Sequence, residues 1–234
     1  MLEIRKSKDR GHAHHGWLDT YHTFSFASYY DPQFMGFKSL RVINEDRIAG
    51  GAGFSQHGHR DMEIITIILE GELKHKDTLG TSTVIRPGEV QRMTAGTGIE
   101  HSEFNHLENS QTHLLQIWIL PDQPGRLPSY EQKDFSLKLS QKEFVLIASP
   151  DGREGSLTIH QDLSLYQGLA RTHKPQVLPV RPGRSYWLQM LRGSAQVNAL
   201  LLVAGDGLAI QNESVVQLIS DSSAEYLLFD MADN

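Results

Sequence analysis

Cysteine is absent from the 234-residue chain. That removes disulfides, thiolate catalysis and cysteine-type zinc sites together, and it fits an intracellular, cytoplasmic protein. Long apolar runs are absent too. The longest, Ile64 to Leu69, is interrupted by Thr66, far short of the ~20 apolar residues a membrane-crossing helix needs. The residues Met1-Leu2-Glu3-Ile4-Arg5-Lys6 run straight into charge and hold no apolar stretch of the kind a secretory signal carries. Excess positive charge is also missing: 22 Lys and Arg stand against 28 Asp and Glu, a net charge of -6. No global basic field draws in nucleic acid or an anionic membrane.

What is present is an ordinary globular composition in a chain long enough to bury a core unaided, as one large domain or two small ones. Strand-like runs alternate with turn residues, and no long helical period separates them. Ser39 to Asn44, Met62 to Leu69, Val90 to Thr94 and Leu114 to Leu120 read as strands. Asp77 to Gly80 reads as a hairpin turn. Further strands are expected at Phe144 to Ala148, Leu157 to His160 and Ser185 to Leu191. The pattern predicts a sandwich or barrel. Residues 1–16, with His12, His14 and His15, read as a solvated loop. The aromatic stretch Trp17 to Tyr30 includes Thr23-Phe24-Ser25-Phe26, which alternates as a half-buried strand would. Pro121, Pro124, Gly125 and Pro128 lie among polar residues and mark a crossing between two halves.

The second half echoes the first. Ile68-Leu69-Glu70-Gly71 resembles Met190-Leu191-Arg192-Gly193, and Pro87-Gly88-Glu89 resembles Ala204-Gly205-Asp206. Two copies of one β unit are expected, divided as 1–125 and 126–234.

Chemistry concentrates between Gly51 and Glu103. His57-Gly58-His59 and His101-Ser102-Glu103 each place two metal-type side chains two residues apart. On a strand that spacing puts both on one face. If the two strands lie side by side, three imidazoles and a carboxylate converge, a set suited to a divalent first-row metal. Measured from Gly193 and Gly205, the positions equivalent to these four are Pro179, Arg181, Leu218 and Ser220, so the second unit is expected to hold no metal. Glu63 and Asp61 follow His59 closely. Either could be a ligand, a hydrogen-bond partner to a ligating imidazole, or a solvated charge. Glu103 ranks first as ligand, with Glu63 as the supporting partner. The remaining histidines His75, His106, His113, His160 and His173 read as surface or hydrogen-bonded residues.

The stretch GAGFSQHGHRDMEIITIILEG resembles the first motif of the cupin superfamily, with one extra residue between Glu63 and Gly71. The second cupin motif normally supplies one histidine and no nearby acid. PGEVQRMTAGTGIEHSE instead resembles the pirin family, as does HGWLDTYHTFSFASYYDPQFMGFKSLRVINEDR. The likeness is close over the first half and looser beyond. It implies an all-β bicupin: two cupin-type jelly-roll barrels in tandem, the C-terminal one without metal. It also implies His57, His59, His101 and Glu103 as ligands to one divalent ion, Fe(II) first among the candidates.

With that resemblance comes an activity, quercetin 2,3-dioxygenase, in which a flavonol and dioxygen are the reactants. Glu103 is then the expected catalytic base. Two other readings come with the resemblance. One is a non-enzymatic, redox-responsive protein-interaction or transcription-cofactor module. The other is a cupin isomerase or decarboxylase using the metal as Lewis acid. A monomer is expected, with a protein partner possible under the second reading.

Overall fold

The computed structural model describes residues 1–233 and is almost entirely β. It contains two seven-stranded sheets and two four-stranded sheets. In the first half, the seven-stranded sheet runs Ser129–Asp134, Glu89–Thr94, Glu63–Glu70, Thr112–Ile119, Leu40–Ile48, Leu18–His22, Gly11–His14. Its four-stranded companion runs Gly53–His59, Ile99–Asn105, Leu73–Asp77, Ser82–Ile85. The second half repeats this plan. Gly207–Gln211, Arg184–Arg192, Ala224–Ala232 and Leu163–Ala170 stand in the same order, and Gln176–Leu178, Val216–Ile219, Ser194–Val197 and Leu200–Val203 form the smaller sheet. Each unit is a cupin barrel, and the chain is a bicupin. The glycines that opened the comparison, Gly71 and Gly193, both sit at positive φ just after equivalent central strands. At φ near +80° a side chain would be strained, so both positions favour glycine.

The central strand Glu63–Glu70 is buried at every residue but its last. It shows an unbroken apolar run because both its faces are covered. Ile64 and Ile68 face the first barrel's interior, among Ile99 and Leu73. Ile65, Ile67 and Leu69 face outward and pack on Val145, Ile147, Leu165, Trp187, Leu227 and Phe229 of the second unit. The two large sheets thus lie back to back and share the largest core. The second barrel's own interior is filled by Leu178, Leu188, Met190, Val197, Leu202, Leu208 and Leu218.

Several expectations need correction. Residues 1–16 are not simply a loop: Leu2–Arg5 and Gly11–His14 are strands. Leu2–Arg5 pairs with Gly207–Gln211 of the second barrel, Leu2 opposite Ile210 and Ile4 opposite Leu208. In return Ser129–Asp134 pairs with Glu89–Thr94 of the first. Leu2–Arg5 is thus an edge strand of the second unit's sheet, and Ser129–Asp134 an edge strand of the first unit's. Leu2 and Ile4 alternate with charged residues, the pattern of a half-buried strand, but the segment is too short to announce itself. Thr23 to Phe26 forms no strand of the sheet; the strand lies earlier, at Leu18–His22. No helix among the described residues is long and apolar enough to cross a membrane.

Candidate metal centre

The strand Ile99–Asn105 alternates buried and more exposed residues along its length. Ile99, His101, Glu103 and Asn105 therefore point inward, as the two-residue spacing required. Gly53–His59 pairs with it antiparallel, His57 opposite His101 and His59 opposite Ile99. The register slips between His101 and Glu103, so that Glu103 faces Phe54. Such a bulge re-aims side chains beside a site. Gly53 is required here: a Cβ on it would stand 2.2 Å from the Glu103 carbonyl oxygen. Gly58, between the two histidines, meets no such constraint.

His57, His59 and His101 offer ligand-type atoms that all lie within 4.8 Å of one another. The Nε2 atoms of His57 and His101 are 3.0 Å apart. His57 Nδ1 lies 2.8 Å from the Ser55 carbonyl oxygen. A carbonyl only accepts, so Nδ1 carries the proton and Nε2 is left bare. His59 Nε2 is buried and has no hydrogen-bond partner. Glu103 is buried, and its Oε2 accepts from the Gln116 amide at 2.7 Å. Trp118 Nε1 donates to Gln116 Oε1 at 3.1 Å and so fixes which end of that amide faces Glu103. Glu103 Oε1 is buried without a partner. The carboxylate groups within 4.8 Å with His101 and His75, not with His57 and His59. The three clustered imidazoles, with an unpartnered carboxylate oxygen beside His101, fit a divalent cation, which would satisfy them.

The electrostatics agree. Burial, then the neighbouring His57, lowers His59 to about 4. Burial, then His57, His59 and His75, lowers His101 to about 2. Both rings are neutral near pH 7, the form that binds metal. Burial raises Glu103 to about 7 against the Gln116 hydrogen bond, with buried Asp46 adding to the rise.

A cavity of about 570 Å³ opens onto this cluster. Trp17, Leu18, Phe26, Phe54 and Trp118 form its apolar walls, and Thr20, Asn44 and Asp46 add polar groups. Of the aromatic N-terminal rings, Trp17 and Phe26 reach this cavity. Phe24 instead packs on Trp187 in the core between barrels, and Tyr30 is exposed.

Residues 3–119 match the family described as Pirin, and residues 146–231 match that described as the quercetinase C-terminal cupin domain. A curated relative from Escherichia coli K12, named quercetin 2,3-dioxygenase, is 47% identical over 99% of both chains. The chain belongs to the pirin family. A pirin-like protein of Caulobacter vibrioides is 40% identical over 99% of this chain and all of its own. Among solved structures, the Escherichia coli pirin YhhW in complex with nickel(II) superposes with a TM-score of 0.94 at 46% identity, covering 99% of each chain.

Other site expectations fare differently in this pirin-family chain. Glu63 does not join the ligand cluster. Asp61 at φ 48 turns the backbone between the two strands, so parity does not carry across it. Glu63 faces the second unit, where its Oε2 lies 3.2 Å from His160 Nδ1. Asp61 Oδ1 accepts from the Gly125 amide at 2.7 Å. His12 lies 2.6 Å from Asp19, and His15 reaches the cavity rim. Asp46 and Gln116 of the site drew no notice in the sequence, and His75 was read only as a surface or hydrogen-bonded residue. Asp46 lies on a strand whose inward alternation, Asn44 and Asp46, was visible. His75 is fully buried within 4.8 Å of His101 and Glu103; being a single histidine, it carried no spacing signal.

Proposed function

We propose that this protein is a metal-dependent dioxygenase of pirin type that cleaves flavonols such as quercetin. The observation that carries the reading is the convergence of three imidazoles beside an apolar cavity, with the buried, unpartnered Glu103 Oε1 next to His101. The names of its close relatives support it, and a pirin relative binds nickel(II). Under this reading His57, His59 and His101 hold the ion through Nε2, and Glu103 does so through Oε1. Neutral histidines plus one carboxylate leave a divalent ion net positive and receptive to an anionic, electron-rich oxygen; we take Fe(II) as that ion because the reaction needs a redox-active one. A redox-active ion bound there supplies the electron exchange between flavonol and dioxygen.

The chain's own residues then have three tasks. Trp17, Phe26, Phe54 and Trp118 hold a planar ring system and keep water from it. Glu103 accepts the proton of the flavonol 3-hydroxyl as general base. Gln116 keeps that carboxylate aimed while the proton transfers. Asp46 and Thr20 accept hydrogen bonds from hydroxyl groups elsewhere on the substrate. Ring opening releases carbon monoxide and leaves a depside.

The test is anaerobic loading with Fe(II), then quercetin and oxygen, following loss of flavonol absorbance together with oxygen uptake. Turnover that disappears in His57→Ala and Glu103→Ala supports the assignment. A metal-loaded protein that consumes no oxygen with any flavonol would leave the redox-responsive interaction module in its place. Full activity in metal-free protein would overturn both.

A further inference from the structure

A histidine that ligates metal through one ring nitrogen carries a proton on the other, and that N–H needs an acceptor. His57 meets this through the Ser55 carbonyl. His101 has no such partner: its Nδ1 is buried and unpaired. The neighbouring strand offers one. His75 is fully buried, and its ring centroid lies 5.3 Å from that of His101. Its Nε2 is 3.0 Å from Asp77 Oδ2, and Asp77 is also buried. The carboxylate can only accept, so the His75 proton sits on Nε2. Its Nδ1 is therefore a lone pair, and it too is buried and unpaired. Two complementary unsatisfied nitrogens lie in one enclosed space.

We propose that His75, oriented by Asp77, accepts the Nδ1–H of metal-bound His101, directly or through one water. His75 is then a positioning residue for the metal centre, one layer behind the ligand. The inference rests on reading His101 as a ligand through Nε2. The strands supply the frame: Glu103 lies opposite His75, and His101 opposite Asp77. Tyr130 covers the His75 ring at 4.9 Å and directs its own hydroxyl to Gln132 at 2.7 Å, so it does not compete for Nδ1. Asp77 is itself fixed, since its Oδ1 accepts from the Leu79 and Thr81 amides. The hairpin turn expected from the sequence is thus also the anchor of this relay.

Two variants and one spectrum test it. His75→Leu removes the acceptor and keeps the site apolar and filled. His75→Gln restores an acceptor oxygen. Affinity for Ni(II) is read by competition against a chromophoric chelator, and the ligand field from the visible spectrum of the Co(II) form. His75→Leu is expected to weaken Ni(II) binding about 10–100-fold and to shift the Co(II) bands, with His75→Gln restoring most of both. Unchanged affinity and spectrum in His75→Leu would overturn the proposal. Equal loss in both variants, with parent-like circular dichroism, would also overturn it, because the role would then be shape rather than hydrogen bonding.

The third measurement needs no variant. In the Zn(II)-loaded parent protein, histidine ¹⁵N shifts should report His75 protonated on Nε2 and His101 on Nδ1. A proton on His75 Nδ1 would refute the proposal even if neither variant folds. If His57→Ala and His101→Ala both retain full metal affinity, the ligand assignment itself has failed, an outcome distinct from any of these.

Discussion

His57 and His101 are cross-strand partners whose Nε2 atoms stand 3.0 Å apart. With His57 Nδ1 committed to a carbonyl, its Nε2 offers only a lone pair to that gap. Two nitrogens so placed suit a shared cation. Replacing either ring should therefore cost more metal affinity than deleting an outer hydrogen-bond partner, which typically costs ~10–100-fold. Metal content after dialysis against a weak chelator, compared among the parent, His57→Ala and His101→Ala, measures this. Parent-like content in both variants would contradict it.

Metal binding should also depend on pH through Glu103. Glu103 is raised to about 7, whereas His59 and His101 sit at about 4 and about 2. Above pH 5 these two rings are already neutral. Below pH 7 the cation must displace the Glu103 proton. The Glu103 contribution to affinity should rise with pH up to about 7 and then level off, its proton being released to solvent on the acid side. Glu103→Gln should bind more weakly and show a flatter profile. Calorimetry in two buffers of different ionisation enthalpy counts the proton. A steep dependence persisting in Glu103→Gln would point to another group.

Asp46 makes a separate prediction for the metal-free chain. Burial lifts its carboxyl to about 7 from an ordinary 3.8. Between about pH 4 and 7 the folded chain keeps a proton that the unfolded chain has released. Stability on this account is therefore full at low pH and falls as pH rises through that window. Asp46→Asn, which resembles the protonated form, should match the parent near pH 4. At pH 8 it should exceed the parent by about 1–3 kcal/mol. Urea unfolding at the two pH values decides it. Equal stability of both proteins at pH 8 would refute the prediction.

Gly53 permits the ligand strands to approach. Gly53→Val should force them apart, because its Cβ would collide with the Glu103 carbonyl and with Phe104. A loss of about 1–3 kcal/mol is expected from such overpacking, along with weaker metal binding. Gly58→Ala, where the space is open, serves as the contrast. Thermal unfolding and metal titration of the pair give the comparison.

The shared core supplies a fifth test. Trp187 of the second barrel packs on Phe24 and Phe37 of the first. Trp187→Ala should destabilise the protein by about 3–5 kcal/mol. Metal affinity should stay near that of the parent, since the ligand strands lie in the other sheet. Chemical denaturation followed by far-ultraviolet circular dichroism, with metal titration of the folded variant, measures both.

Much of this site was legible because its signals were local. Two-residue spacing fixed the facing of His101 and Glu103, and strand pairing brought His57 opposite His101. The glycines at positions 71 and 193 reported an equivalent turn in each barrel. What stayed hidden depends on contacts between distant segments. His75 carries no motif, and its meaning comes from a neighbouring strand. Glu63 ranked as a supporting partner by closeness to His59 alone, but the chain turns at Asp61 and its carboxylate meets His160. Leu2–Arg5 gave no hint of its destination, since pairing with Gly207–Gln211 is a property of the folded chain alone.

That exchange of edge strands bears on how the molecule assembles during synthesis. Leu2–Arg5 leaves the ribosome long before Gly207–Gln211 exists to receive it. The metal-side barrel can gather most of its sheets before Gly207–Gln211 is made, but Leu2–Arg5 has no pairing partner until that strand is present. Completion of the second barrel then draws it in and closes the molecule like a clasp. A gene cut between the halves would yield two fragments, each carrying an edge that belongs to the other.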